Sequence, residues 1–128
     1  MDRHTHHKHL IAPLRAALYD FSELEIRAAL EAVCAPNAVF RLAHPLGVLT
    51  GTEAYFDEAI APLAQAWPDL ERRDTILMAG TDDDGGDWVG CGGYYVGVSL
   101  GPWLGIPPTG HIIHMRFHEF YRFVDGKV

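Results

Sequence analysis

The most regular pattern in the chain is an alternation of residue types from His111 to Val124, which predicts a β-strand with two different faces. A slip of one residue would expose the aromatic side chains of this strand, so the alternation also determines its register. The odd-numbered positions are expected to face the core, and they are His111, Ile113, Met115, Phe117, Glu119, Tyr121 and Phe123. The even-numbered positions are expected to face outward, and they are Ile112, His114, Arg116, His118, Phe120, Arg122 and Val124.

Helical periodicity dominates the first half of the chain. Residues 10–19, 22–35 and 51–67 repeat apolar side chains at intervals of three and four, which predicts three helices. Pro62 should kink the third helix or begin a fresh turn. Residues 1–9 are expected to be a poorly ordered lead-in, because they lie at a terminus.

Three further segments, 37–43, 70–79 and 88–98, are rich in β-branched and aromatic residues and are predicted strands. The segment 88–98 contains Gly90, Gly92, Gly93 and Gly97, which mark bends, bulges or close approach by another group. A sheet bent in this way can enclose a pocket. Helices followed by strands indicate an α+β fold, with N-terminal helices on a strongly curved, mostly antiparallel sheet over residues 10–128.

Glu119 is the one carboxylate on the inward face of the last strand. Burial among Met115, Phe117 and Tyr121 would raise its pKa, as a general acid or base near neutral pH requires. A structural role is the alternative: Arg116, Arg122 or His118 would reach round the strand edge to pair with Glu119, or a bulge would turn it into solvent. Both interpretations remain open at this point.

Composition excludes some classes of function. The chain has 128 residues, is 48% hydrophobic and carries a formal charge of -7. That balance argues against nucleic acid and against an anionic membrane as partners. No apolar run is long enough to span a bilayer, and no signal-peptide pattern begins the chain, so we expect a cytoplasmic protein.

Metal and disulfide chemistry is not indicated. Cys34 and Cys91 lie far apart in sequence, and two packed thiols are favoured over a disulfide. The histidines of residues 4–9 have no scaffold that would fix ligand geometry. The aspartates of residues 82–84 lack the ligand spacing of a calcium loop, so a hairpin turn is favoured there. We therefore expect no metal site.

Several motifs together resemble a known family. Residues 101–110 read GPWLGIPPTG, and residues 118–128 read HEFYRFVDGKV. With Asn37–Val39, His44–Pro45, Gly51 and the segment 62–69, they resemble the SnoaL-like polyketide cyclase (ester cyclase) family, within the nuclear transport factor 2-like and ketosteroid isomerase-like superfamily. This resemblance covers most of the chain and implies a cone-shaped α+β barrel.

The resemblance also implies a chemistry. In the family's cyclases an aspartate at the position of Glu119 is the general acid/base for an intramolecular aldol ring closure, and the glutamate here is one methylene longer. A cofactor-free enzyme for a hydrophobic oxygenated substrate in a central cavity is therefore expected. Candidate contacts to the substrate are His44, Tyr95, Trp103, His111, Met115, Phe117 and Tyr121.

Two other functions compete with the cyclase. One is a non-catalytic module that binds a small hydrophobic molecule or associates with other proteins, since this fold often serves so. The other is epoxide hydrolysis, which relatives of the fold perform with an Asp/Arg/Asp set. It ranks lower, because the inward face of the last strand carries one acid and no arginine.

Two expectations concern the surface of the last strand. Its outward face mixes apolar and cationic side chains, which favours a homodimer that pairs through the sheet. Asp125–Gly126 is a hairpin signal followed by only two residues. We expect the natural chain to continue past Val128, or a neighbouring subunit or the N-terminal segment to cover the open strand edge.

Overall fold

The helices lie within the first 66 residues and the three long strands follow them, as expected for an α+β protein. The computed structural model describes residues 2–128. Helix α1 spans Arg3–Asp20 and includes Pro13. Helix α2 spans Glu23–Val33 and ends before Pro36, and its buried residues alternate at three- and four-residue intervals, as an amphipathic helix requires.

The N-terminal segment differs from its expectation, because residues 3–9 form the first two turns of α1. The side chain of Asp2 caps this helix by accepting a hydrogen bond from the backbone N–H of Thr5, at 2.9 Å. His7 is buried and stacks on Phe123, with ring centroids 4.7 Å apart. These contacts order a segment whose own sequence carries little helical signal.

The third helical segment is interrupted. Helix α3 spans Thr52–Tyr55, a π-helical turn spans Phe56–Ile60, and helix α4 spans Ala61–Ala66. Pro62 lies in the first turn of α4, where its missing N–H costs least. The expectation that Pro62 begins a fresh turn is confirmed, and the wider π-turn makes room for it.

The strands form two separate antiparallel sheets, not a closed barrel. Strands β1 (Val39–Arg41) and β2 (Val48–Thr50) pair as a short hairpin. Strands β3 (Glu71–Thr81), β4 (Asp87–Val98) and β5 (Ile112–Phe123) follow one another in a three-stranded sheet with β4 at its centre. Helix α1 packs on β3 and β4.

A β-bulge interrupts β3 at Thr75. Asp74 is opposite Gly93, but Ile76 is opposite Gly92, so one residue of β3 has no partner on β4. A Cβ atom at Gly93 would lie 1.9 Å from the carbonyl oxygen of Arg73, so only glycine allows this approach. The inward positions of β3 therefore change parity, from 72 and 74 before the bulge to 77 and 79 after it.

The parity predicted for the last strand is confirmed. On β5, Phe117, Tyr121 and Phe123 are buried, while Ile112, Phe120 and the cationic residues of the even-numbered set are exposed. The inward face joins one hydrophobic core with α1, α2 and α4. Both cysteines are buried and free, as expected.

None of the helices in residues 2–128 has the length and apolar character needed to cross a membrane. Strand β5 pairs with β4 along one edge, and no segment of residues 2–128 forms a strand along the other. That a further strand or a second subunit covers this edge stays a prediction.

Candidate active site

Glu119 points to the inner face of the sheet, as its parity requires. Its side chain is 19% exposed and is therefore mostly buried. Both oxygens are bound: Oε1 accepts from Nη1 of Arg72 at 2.9 Å and Oε2 from Nη2 at 2.7 Å. The hydroxyl of Tyr121 also donates to Oε2.

Arg72 is the centre of the site, and the sequence analysis did not anticipate it. Its side chain has no exposed surface, and its guanidinium carbon lies 4.0 Å from the centre of the Phe117 ring. Burial alone would lower the pKa of Arg72, but the charge and hydrogen bonds of Glu119, together with Tyr95 and Tyr121, raise it above its ordinary value. Arg72 is therefore a permanent cation, and it pairs with Glu119 in two-point geometry.

The structural alternative for Glu119 named the wrong partners. Arg116, Arg122 and His118 are all exposed on the opposite face of β5, and none of them pairs with Glu119. The premise of the sequence argument, a carboxylate without a counter-ion, does not hold either. Glu119 does lie on the inner face of the sheet, but it belongs to an ion-pair network.

That network continues to a second carboxylate, Asp74. Its Oδ1 accepts from Nε of Arg72 at 3.1 Å, and its Oδ2 lies 3.3 Å from Nε of Arg15 on α1. The side chains of Asp74 and Arg15 are 12% and 21% exposed. Charges therefore alternate along Arg15, Asp74, Arg72 and Glu119, and they sum to zero.

Three tyrosines surround the network. Burial, followed by the negative charge of Glu119, raises the pKa values of Tyr55, Tyr95 and Tyr121 above the usual value. These hydroxyls stay protonated and can serve as hydrogen-bond donors. Tyr121 donates to Glu119, whereas Tyr95 accepts from Nη1 of Arg72 at 2.9 Å and keeps its own proton free.

Cys91 is the cross-strand neighbour of Glu119 on β4. Burial raises the pKa of its thiol to about 11. The thiol is therefore neutral near pH 7 and acts as a small apolar wall beside Glu119.

The structure brings together only part of the predicted contact set. Tyr95, Phe117 and Tyr121 contact the Arg72–Glu119 pair directly or through one hydrogen bond. Met115 is half-buried on the same face and is the cross-strand neighbour of Tyr95. These four residues form the inner surface around Glu119, as their parity indicated.

Three predicted contacts lie elsewhere. His44 is exposed in the turn between β1 and β2, and His111 is exposed just before β5 begins. His111 lies eight residues from Glu119, about 26 Å along an extended chain, so the two do not share one site. Trp103 packs on Trp67, with ring centroids 5.9 Å apart, and is half-buried in the loop before β5.

The residues that sequence reasoning missed are Arg72, Asp74, Arg15 and Tyr55. Arg72 and Asp74 have the same parity as the buried Leu70, and an Arg-x-Asp pair that continues an inward row was a usable signal. Nothing local marks Arg15, whose partner lies 59 positions away along the chain. Tyr55 stacks on Phe40, with centroids 4.3 Å apart, at the end of a helix that we assigned only by its periodicity.

Two surface depressions of the protein lie away from Glu119. One of about 580 Å³ lies between α2 and the start of α3, and another of about 300 Å³ lies on the outer face of the sheet beside Phe120. The expected central cavity is therefore not among them. In residues 2–128, no group of three or more histidine, cysteine or acidic residues is arranged to hold a metal ion.

The chain can be compared with known proteins by its sequence and by its fold. The model of the SnoaL-like polyketide cyclase family matches residues 13–128. No curated protein shows significant sequence similarity. Several solved structures share the fold at low sequence identity, among them three with identities of 20–23%.

The first is a protein from Jannaschia sp. CCS1, provisionally described as a SnoaL-like polyketide cyclase; it is 20% identical, with a TM-score of 0.77, and the match covers 99% of this chain and 85% of that one. The second is IdmH from Streptomyces antibioticus, provisionally described as a polyketide cyclase (23%, TM-score 0.68, covering 94% and 85%). The third is an NTF2-like protein from Burkholderia thailandensis E264 (20%, TM-score 0.70, covering 98% and 85%).

Proposed function

Because this chain belongs to the SnoaL-like polyketide cyclase family, we propose that it is an acid/base enzyme in which Glu119 moves a proton next to a carbonyl of a hydrophobic oxygenated substrate. The reaction is an aldol-type ring closure or a related proton transfer. Neither step requires a metal or an organic cofactor, since a carboxylate and a hydrogen-bond donor supply the chemistry.

The proposal rests on one acceptor position of the Glu119 carboxylate that no hydrogen bond fills. A carboxylate offers about four acceptor positions, and the structure fills three of them: one on Oε1, by Arg72, and two on Oε2, by Arg72 and Tyr121. One position on Oε1 is left, on a side chain that is 19% exposed. Arg72 and Tyr121 hold the carboxylate in one orientation, as a general base needs.

The enolate oxygen that forms when the proton leaves carbon requires a donor. The hydroxyls of Tyr95 and Tyr55 fit this role, because neither donates to an acceptor within residues 2–128. Their raised pKa values keep them protonated. Arg72 adds a positive charge close to Tyr95, which favours negative charge developing nearby.

Deuterium exchange tests the proposal without knowledge of the natural substrate. Polycyclic aromatic ketones and steroid ketones are incubated with the protein in D₂O, and exchange at the carbon next to the carbonyl is followed by proton NMR. The wild type should accelerate exchange for at least one ketone, and Glu119→Gln should reduce that rate by about 100-fold or more. Glu71→Gln, the same change at a 60% exposed carboxylate of the same sheet, is the control and should leave the rate unchanged.

A non-catalytic binding module remains the alternative. It predicts that a ketone binds with similar affinity to the wild type and to Glu119→Gln, and that neither accelerates exchange. Calorimetric binding measured beside the exchange rate separates the two functions. Binding without exchange would contradict the enzyme proposal.

Epoxide hydrolysis regains support from one observation. Epoxide hydrolysis ranked low because the inward face of the last strand has no arginine. Arg72, however, points inward from β3 and lies between the carboxylates of Asp74 and Glu119. In such a set one carboxylate takes a proton from the attacking water, and the other, in its acid form, gives a proton to the ring oxygen. Conversion of epoxides to diols in H₂¹⁸O would report it, and Asp74→Asn should abolish that activity.

A further inference from the structure

We propose that Arg15, on helix α1, is a positioning residue for Glu119 that acts through Asp74 and Arg72. The effect of Arg15 on turnover rests on the proposed function. Its effect on the geometry of the site does not, and can be measured on the protein alone. The inference extends the site from two strands of the sheet to the helix that covers them.

The first step is the orientation of Arg72. A guanidinium group is planar and presents its N–H groups in fixed directions. Three contacts define that plane: Nε donates to Asp74, the two Nη atoms donate to Glu119, and the face lies on Phe117. Since the side chain has no exposed surface, water cannot replace any of these partners. Asp74 therefore determines which edge of the guanidinium meets Glu119.

The second step is the charge on Asp74. One of its oxygens is bound to Arg72, and the other faces Arg15 across 3.3 Å. No acceptor within residues 2–128 receives a hydrogen bond from Nε of Arg15, so this contact is an ion pair in which the N–H is not aimed at the oxygen. It acts through charge, and the low exposure of both side chains limits screening by water.

The third step is the consequence of losing the Arg15 charge. Arg72 would then be the only counter-ion for two carboxylates, Asp74 and Glu119, and the cluster would carry one excess negative charge. Asp74 would draw the guanidinium toward itself and loosen the two-point contact with Glu119. Arg15 balances Asp74 and so leaves the other edge of Arg72 to Glu119.

Helix α1 provides its own control. Arg3, at the opposite end of the helix, also joins α1 to the sheet: its Nε lies 3.2 Å from Asp87, and its Nη2 donates to Thr81 at 3.0 Å. Arg3 has no contact with the ion-pair network. A substitution there weakens the docking of α1 without changing the charge beside Asp74.

The experiment follows the signals of the Arg72 Nη–H groups that donate to Glu119 in ¹⁵N-labelled protein and measures their exchange with water. In Arg15→Gln the exchange should be about tenfold faster or more, because a hydrogen bond between charged groups is weakened. Arg15→Lys should restore the wild-type rate, and Arg3→Gln should leave it unchanged. Asp74→Asn should produce at least the change seen in Arg15→Gln, and it serves as the second variant if Arg15→Gln does not fold.

An unchanged Arg72 exchange rate in Arg15→Gln or in Asp74→Asn would overturn the inference. An equal acceleration in Arg3→Gln would also overturn it, since the cause would then be loss of helix docking. If ketone exchange is catalysed, Arg15→Gln should lower kcat with little change in KM, and Arg15→Lys should recover it. Failure of Glu119→Gln to affect catalysis would contradict the proposed function, while the NMR result would still decide the role of Arg15.

Discussion

Arg72 and Glu119 form a two-point ion pair although they lie on the two outer strands of the sheet, with β4 between them. Their register partners on β4 are Tyr95 and Cys91, four residues apart and about 13 Å along the strand. Both side chains must therefore lean along the sheet to meet. The Arg72–Glu119 ion pair therefore joins β3 to β5 across β4 on the buried face of the sheet.

Breaking this pair from one side should be costly. Arg72→Met removes the counter-ion of Glu119 and Asp74, and Glu119→Gln leaves a buried guanidinium with one carboxylate. Each change should lower the free energy of unfolding by about 3–5 kcal/mol. The double variant should lose less than the sum of the two, since neither charge is then left unpaired.

Urea denaturation at pH 7 measures all four members of this cycle. Arg73→Met is the matched control, because Arg73 is the next residue of β3 but is 61% exposed and pairs with Glu71 at the surface. It should change stability by less than about 0.5 kcal/mol. Additive losses for Arg72 and Glu119 would mean that their contact contributes no coupling.

The buried tyrosines should make the protein sensitive to alkali. The pKa values of Tyr55, Tyr95 and Tyr121 are raised in the folded state, whereas in the unfolded chain a tyrosine titrates near 10. A raised folded pKa stabilises the protein fully below the unfolded value, and that contribution is lost as pH rises toward the folded value. Stability should therefore fall steeply above about pH 10.

Spectrophotometric titration at alkaline pH tests this expectation. The chain has five tyrosines, of which Tyr19 and Tyr94 are exposed. The phenolate absorbance of the other three should appear only together with the loss of the far-UV circular dichroism signal. Ionisation of all five before unfolding would show that the inner face is open to hydroxide.

A homodimer that pairs through the outer face of the sheet is our proposal for the assembly. Phe120 and Ile112 on β5 are 62% and 65% exposed, Val124 just after β5 is 57% exposed, and Met78 on β3 lies close to Phe120 across Gly90. Light scattering at micromolar concentration should give twice the chain mass. Phe120→Lys should give a monomer, and Leu24→Lys, at a 79% exposed position of α2, should not.

The same face carries His114, His118, Arg116 and Arg122. The arginines are positive at neutral pH and would lie close to the same groups of the second copy, so added salt should strengthen association by screening this repulsion. A dimer that is equally stable at low and at high salt would exclude this face as the interface. Binding of Phe120→Lys to itself at wild-type strength would do the same.

Local patterns explain why one half of the site was found. The parity of a strand is set by its own residues, so the alternation along β5 was enough to place Glu119, Phe117 and Tyr121 on the inner face. The ordered start of α1 was missed because it depends on contacts to the far end of the chain, such as His7 with Phe123. Such long-range contacts produce no pattern among the neighbouring residues of the sequence.

The other half was missed because β3 changes parity within itself. A single alternation read across residues 70–79 cannot place both Arg72 and Leu77 on the inner face, so the buried arginine was not recognised. His44 and His111 were candidate substrate contacts, but both are exposed in the structure. The glycines of β4 indicated bends, bulges or close approach, and the close approach occurs at Gly93, opposite a bulge that lies on β3.

Gly93 should therefore be decisive for the site. An alanine Cβ there would lie 1.9 Å from the carbonyl oxygen of Arg73 and 3.1 Å from the Cα atom of Asp74, so the backbone of β3 must move. Gly93→Ala should lower the free energy of unfolding by about 4 kcal/mol or more, and the surviving fold should lose the protected Nη–H signals of Arg72. Gly80→Ala is the control: Gly80 lies on β3, and a Cβ there meets no atom within 4 Å, so its effect should stay within about 0.5 kcal/mol. Similar stability for the two variants would mean that the bulge can be removed without loss of stability. The bulge would then not be needed to place both Arg72 and Leu77 on the core side of β3.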